Sequence, residues 1–293
     1  RYNKTMVNLS PIFLILCAAF CFAFSSILIK VLGIYAAGDG VHPLQIAHAR
    51  FFFSFIFITC IWIIFRPKIE HSHIRLHLLR SIFGWMGVSI LFTSIVYIPV
   101  SDATALTFLN PIFAMVFAAF IFKEKIGSIR WSGALISFSG GLLLIRPTVD
   151  LSVDPIALLC LFGAIIMGLE IICIKTLSEK NSVFTMLLIN NFIAMCIGVV
   201  ALPFIFIIPS FFELFILLNI GALMLSGQFC FINSIKGAET SFLMPFFYST
   251  LIFVMFLDLI IFDSLPDKIS YIGSLLIIFG AVIVAFRDWK KRT

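Results

Sequence analysis

Residues 15–31 read ILCAAFCFAFSSILIKV, and residues 160–176 read CLFGAIIMGLEIICIKT. At a constant offset of 145, Leu16 meets Leu161, Ala19 meets Ala164, Ile27 meets Ile172, Ile29 meets Ile174 and Lys30 meets Lys175. Identity among apolar residues arises easily by chance, so the order of later landmarks carries more weight. SDATALTFLNPIF at 101–113 and KGAETSFLMPFF at 236–247 set Pro111 opposite Pro245, and Gly133 and Gly140 recur as Gly273 and Gly280. The landmarks come in the same order twice, which predicts an internal repeat covering residues 1–148 and 149–293.

The composition around these stretches names the solvent. Of 293 residues, 62% are hydrophobic, 12% are charged and 36 are Phe, and the mean hydropathy is +1.17. A soluble domain carries roughly 25% charged residues, so neither a soluble enzyme nor a disordered chain fits. Apolar runs fall at about 12–32, 44–65, 78–97, 103–122, 130–146, 155–175, 183–206, 211–235, 241–262 and 269–286. A spanning helix needs ~20 residues, so the expected fold is an all-α membrane protein of ten transmembrane helices. The loops left over are too short for a second domain. The first run reads as a span rather than a cleaved signal peptide, because it is long and continues into Lys30 without a small-residue cleavage site.

An odd number of helices per repeat forces the second copy into the membrane from the other side. The expected architecture is therefore two inverted five-helix repeats, the usual plan of secondary transporters. Basic residues support the alternation. Sixteen Lys and Arg, from Arg1 and Lys4 through Arg66, Arg75 and Arg80 to Arg292, fall on one side, and only Lys30, Arg146 and Lys268 on the other. By the positive-inside rule both termini are expected in the cytoplasm. The charge of +6 is thus topological, and no nucleic-acid partner is read from it. The seven Cys all sit in apolar runs without Cys-x-x-Cys or Cys–His spacing, so no metal or disulfide framework is expected. No cofactor is expected either, and the absence of a P-loop excludes ATP as the energy source.

Several motifs carry a family resemblance. ARFFF at 49–53, HLLRSIFGWMG at 77–87, the stretch 98–147 and the stretch 236–286 resemble the signatures of the drug/metabolite transporter superfamily, in its EamA-type ten-helix branch. The resemblance spans nearly the whole chain. It implies a carrier working by alternating access, with a central cavity lined chiefly by the first, third, fourth, sixth, eighth and ninth spans. Lys123-Glu124 and Asp263 stand where the family usually has Gly-Glu and Glu. The pattern is most similar to the subgroup of metabolite exporters and S-adenosylmethionine carriers, in which an acidic residue lies near Glu170.

Glu170 is the sharpest chemical signal. It lies fifteen residues into the sixth run, ~22 Å from the outer end. A carboxylate at that depth must find a partner or water. It could bind an amine or cationic group, carry a proton through a transport cycle, hydrogen-bond a neighbouring helix, or snorkel to the inner interface. Arg50, two turns into the second span, reads as a gating or structural charge sooner than an anion ligand. Its depth is in the opposite half from Glu170, so no direct resting pair is expected. Gln45 and His48 share its helix, and His48 reads as packing sooner than as a proton relay.

Thr104, Thr107 and Asn110 make one polar face ending at Pro111, and Thr240, Ser241, Tyr248 and Ser249 flank Pro245. Proline frees a carbonyl one turn earlier, so both faces are candidate cavity walls, with interhelical hydrogen bonding as the alternative. Ser25, Ser26, Trp85, Gln228 and Asn233 complete the candidates. Asp258, about one turn from a span end, is expected to snorkel.

The function that follows is a secondary transporter of a small polar metabolite, such as an amino acid, an amine or an S-adenosylmethionine-like compound. Its expected partners are that substrate and membrane lipid, in a bacterial inner membrane. The alternative is a proton-coupled exporter of neutral or anionic metabolites. An intramembrane enzyme is disfavoured, because the only His cluster is the loop around His71, His73 and His77, with no paired acid beyond Glu70.

Overall fold

Long runs of Leu, Ile, Phe and Ala without charges make helix the only backbone form that satisfies its own polar groups in lipid. The computed structural model describes residues 9–35, 41–69, 73–121, 127–145, 154–237, 243, 246–263 and 266–290, and among them there is no strand. Helices occupy every apolar run: α1 (Leu9–Tyr35), α2 (Pro43–Phe65), α3 (Ile74–Tyr97), α4 (Val100–Thr107), α5 (Asn110–Ile121), α6 (Ser128–Ile145), α7 (Pro155–Ser178), α8 (Val183–Val199), α9 (Leu202–Ile205), α10 (Phe211–Gly237), α11 (Ser249–Phe262) and α12 (Lys268–Lys290). Six segments are long and apolar enough to cross a membrane: Pro11–Gly33, Pro43–Phe65, Ile74–Tyr97, Val100–Ile121, Pro155–Ser178 and Phe211–Lys236. Trp131–Ile145, Val183–Val199, Ser249–Phe262 and Lys268–Ile283 are shorter apolar helices.

Local chemistry sets the helix ends. Pro43 and Pro155 open α2 and α7, where the missing N–H costs nothing. Asp154 Oδ1 accepts from Ile156 N at 2.8 Å, and Ser182 Oγ accepts from Thr185 N at 3.2 Å, so both are N-caps. Ser210 and Glu213 form a reciprocal box at the start of α10, with Ser210 N donating to Glu213 Oε2 at 2.7 Å and Glu213 N to Ser210 Oγ at 3.3 Å. The run at 103–122 is not one continuous helix. Pro111 has no N–H and its ring crowds the carbonyl four residues back, so α4 stops at Thr107 and α5 begins at Asn110.

The helices pack in matched pairs. The most extensive interfaces are α6 with α12, α1 with α10 and α3 with α7, followed by α2 with α8. α5 lies on α7 as α11 lies on α1. At the α6–α12 crossing a Cβ on Gly140 would come 2.5 Å from the Gly273 carbonyl, and one on Gly280 would meet Gly133 O and Ser137 Oγ. Only glycine allows backbones this close, and Ser137 Oγ donates across the crossing to Ile277 O at 3.0 Å. Because 133 meets 280 while 140 meets 273, the two helices run antiparallel. α3 and α7 do the same, with Gly84 on Glu170 and Gly87 on Met167. The outer surface is oily: Ile64, Phe65, Phe120, Phe204, Phe211 and Phe279 are all exposed, as a bundle solvated by lipid requires.

Candidate functional site

Three charged side chains are buried together where α2, α3, α7 and α8 meet. Arg50 is 1% exposed, Arg80 0% and Glu170 7%. Glu170 feels the charge of both arginines, and Arg50 also feels that of Arg80. The Glu170 carboxylate rests against α3 at Gly84, where a Cβ would lie 2.8 Å from Oε1. Gly84 therefore makes the room in which the carboxylate sits. Arg80 Nη1 donates to Met186 O at 2.8 Å, while its Nε and Nη2 have no hydrogen-bond partner. Arg50 stacks on Phe51, with the guanidinium carbon 4.0 Å from the ring centroid, and its Nε and Nη1 are also without a partner.

Polar groups extend the cluster along α8. Ser81 Oγ donates to Asn190 Oδ1 at 3.3 Å, and Asn191 Nδ2 donates to Leu187 O at 2.8 Å, leaving Asn190 Nδ2 and Asn191 Oδ1 unpaired. Trp85 Nε1 and His48 Nδ1 converge on Gly198 of α8 and are likewise without partners. Buried polar atoms without partners are costly in a membrane bundle, and several of them gather in this region.

The remaining candidates divide into satisfied and idle groups. Ser25 and Ser26 donate back to Cys21 O and Phe22 O of their own helix at 2.8 and 3.0 Å. Thr107 Oγ1 donates to Ala103 O at 2.8 Å and contacts Cys160 Sγ at 3.6 Å. Thr104 Oγ1, Gln228 Oε1 and Ser249 Oγ are buried without partners. Asn110 and Pro111 are half-buried, and Asn110 backbone lies on Gly168 of α7. Asn233 Nδ2 donates to Phe229 O at 2.9 Å. Tyr248 is buried, and its Oη donates at 3.3 Å to Phe108 O, the carbonyl at the α4–α5 break. Phe108, Tyr248, Phe247, Phe231 and Phe22 form one aromatic cluster there, with centroids 4.9–5.9 Å apart. Pro245, Thr240 and Ser241 lie outside the described residues. Gln45 is tied to the connection after α9, donating to Ile207 O at 2.8 Å and accepting from Ile207 N at 3.1 Å.

Two expectations need correction. Arg80 is not a loop-facing topology marker but a fully buried residue of α3. Asp258 does not snorkel: it is 3% exposed and its Oδ1 has no partner, because it lies on the buried face of α11 with Leu251 and Val254. Arg50 and Glu170 form no hydrogen bond, in keeping with the expectation of no direct pair, although the charge of each acts on the other. The sequence carried a signal for Arg80: with Gly84 and Gly87 it shares the α3 face on which α7 packs. The Asn190–Asn191 pair, alone in an apolar run, was a second unused signal. A cavity of about 210 Å³ lies elsewhere, between Tyr97, Asp102 and Asp154 near the start of α7, and none of the candidate residues lines it.

The profile of the EamA-like transporter family matches residues 9–146 and again 154–286. A protein named S-adenosylmethionine uptake transporter from Rickettsia prowazekii (strain Madrid E) is 26% identical, over 87% of this chain and 86% of that protein. The pseudopaline exporter CntI of Pseudomonas aeruginosa (strain UCBPP-PA14) is 23% identical over 94% of this chain and 96% of its own. A riboflavin transporter of Vibrio cholerae is 24% identical over 77% and 76%. A protein of known crystal structure aligns with a TM-score of 0.63 at 15% identity, over 94% of this chain and 99% of that one, a likeness of fold alone.

Proposed function

The chain belongs to the EamA-like transporter family, within the drug/metabolite transporter superfamily, and on that premise we propose that it moves a small polar metabolite with an amine or cationic centre by alternating access. It is an integral membrane transporter and not an enzyme. The substrate class comprises amino acids, amines and S-adenosylmethionine-like compounds, carried across a bacterial inner membrane. The single observation behind this reading is Glu170, a carboxylate buried among helices and held against Gly84. An ionised carboxylate in a water-poor bundle recognises a cation far more strongly than it would in water.

The transport cycle we infer uses two inverted repeats, 1–148 and 149–293, with ten spans and both termini in the cytoplasm. The pairing of interfaces supports it. α1 on α10 and α7 on α3 are equivalent under exchange of the halves, as are α5 on α7 and α11 on α1. The α6–α12 crossing is its own equivalent and antiparallel. Pro111 and Pro245 are equivalent in the sequence repeat, and Ser26, Trp85, Thr107, Asn110, Gln228, Tyr248 and Ser249 are the proposed substrate-facing groups beside Glu170, with Arg50 gating. A second reading, a proton-coupled exporter with a carboxylate carrying the proton, draws support from Asp258, a second buried acid with an idle oxygen.

The test is a thermal-shift screen of the purified protein against amino acids, polyamines, quaternary amines, S-adenosylmethionine and riboflavin, followed by proteoliposome uptake of each hit. Cationic or amine-bearing compounds should stabilise and be taken up. Stabilisation only by compounds without an amine or cationic centre would reject the proposed substrate class.

A further inference from the structure

The charges around Glu170 do not balance. Two guanidiniums act on one carboxylate, and neither Asp102 nor Asp258 is among the charges acting on Arg50 or Arg80. Both arginines are buried, and an uncompensated cation in a membrane interior is costly unless something compensates it. The hydrogen-bond inventory points the same way. Four guanidinium nitrogens, Arg50 Nε and Nη1 and Arg80 Nε and Nη2, are buried with no protein acceptor.

The identity of the idle atoms is specific. Nε and Nη2 lie along one edge of the planar guanidinium, and their two parallel N–H bonds match the two oxygens of a carboxylate. Arg80 is already anchored through its third nitrogen, since Nη1 donates to Met186 O at 2.8 Å. Its free edge is therefore held in a fixed orientation. A purely structural arginine in an apolar helix would turn these donors to backbone carbonyls, as Arg80 does with Nη1 alone.

We propose that Arg80, with Arg50 beside it, is the carboxylate-binding half of the transport site, so that the substrate is a zwitterion gripped by its carboxylate on the arginines and by its amine on Glu170. This rests on the transporter reading above and narrows it: pure amines and polyamines lack the group that balances the second arginine. With a zwitterion bound, two positive and one negative protein charges meet one negative and one positive ligand charge. The net charge of the site is unchanged, and what the ligand carboxylate supplies is the pair of acceptors that the free edge of Arg80 lacks.

Binding to the purified full-length chain is measured with three matched pairs that differ only in the carboxylate: S-adenosylmethionine against its decarboxylated form, lysine against cadaverine, and methionine against methioninamide. The expected result is a tenfold or greater preference for the carboxylate-bearing member in every pair that binds. Arg80→Met and Arg80→Lys should shrink that ratio toward one, with Lys retaining charge but losing the two-pronged grip. The comparison of pairs on the unsubstituted protein stands even if the Arg80 variants fail to fold. Equal or tighter binding of the carboxylate-free member, no binding by any carboxylate-bearing compound, or an unchanged ratio in a folded Arg80→Met protein would overturn the proposal. Uptake of carboxylate-free compounds into proteoliposomes as readily as of their carboxylate-bearing partners would leave the transporter reading standing while this inference falls. Carboxylate-selective binding without any transport would do the reverse.

Discussion

Glu170→Gln removes the negative charge and keeps the shape of the side chain. If the carboxylate meets a substrate amine, the change should weaken binding by about 2 kcal/mol, roughly 30-fold, since a charge-assisted contact becomes a neutral one. The measurement is substrate affinity by titration, with thermal stability read in parallel to confirm folding. Unchanged affinity in folded protein would leave Glu170 a packing residue and remove the basis for an amine-bearing substrate. Glu170 was legible because a carboxylate deep in an apolar run has few explanations. Arg80 was legible only through its spacing with Gly84 and Gly87, because a basic residue near the end of a run otherwise looks the same whether it points to the cytoplasm or into the bundle. Asp258 failed for the same reason: depth along a helix is visible in sequence, while cover by neighbouring helices is not.

Among the elements, α6 and α12 make the interface most dependent on small residues. A Cβ at position 280 would run into Gly133 O, Ser137 Oγ and Ser137 N, and the two backbone atoms among these cannot swing aside. Gly280→Ala should therefore cost about 1–3 kcal/mol by overpacking and lower the melting temperature of the detergent-solubilised protein, while Ser132→Ala on the exposed face of α6 should not. The shared Gly-x6-Gly spacing of the two runs is readable in the sequence, whereas the run at 183–206 divides into α8 and α9 and several helix ends lie three or four residues from the apolar limits. The break between α4 and α5 was only half readable. Pro111 predicts a freed carbonyl, but it does not predict that Tyr248 Oη caps Phe108 O. The polar face of Thr104, Thr107 and Asn110 likewise has the right spacing, yet Thr107 spends its hydroxyl on its own helix and on Cys160. Side-chain partners are a tertiary property that periodicity does not encode.

For the whole molecule, the inverted-repeat reading makes a prediction about sides. Single cysteines replacing Lys68 and Lys180 should react with an impermeant thiol reagent only from the cytoplasmic face, and one replacing Ser210 only from the opposite face. Labelling of all three from one face would break the alternation of spans on which the two-fold relation depends. Those sides are also the basis of the transport cycle, because the buried charges must be reached from one face and then from the other. That exchange is the central claim, and solute counterflow in proteoliposomes tests it most directly. Vesicles carrying the purified protein are loaded with an unlabelled hit from the screen, and entry of the labelled compound from a dilute outside solution is followed. A carrier that alternates around one site should draw label inward transiently above its outside concentration, and Glu170→Gln should abolish the overshoot. Label that only equilibrates, at a rate indifferent to the internal compound, would contradict alternating access and mark a passive pore.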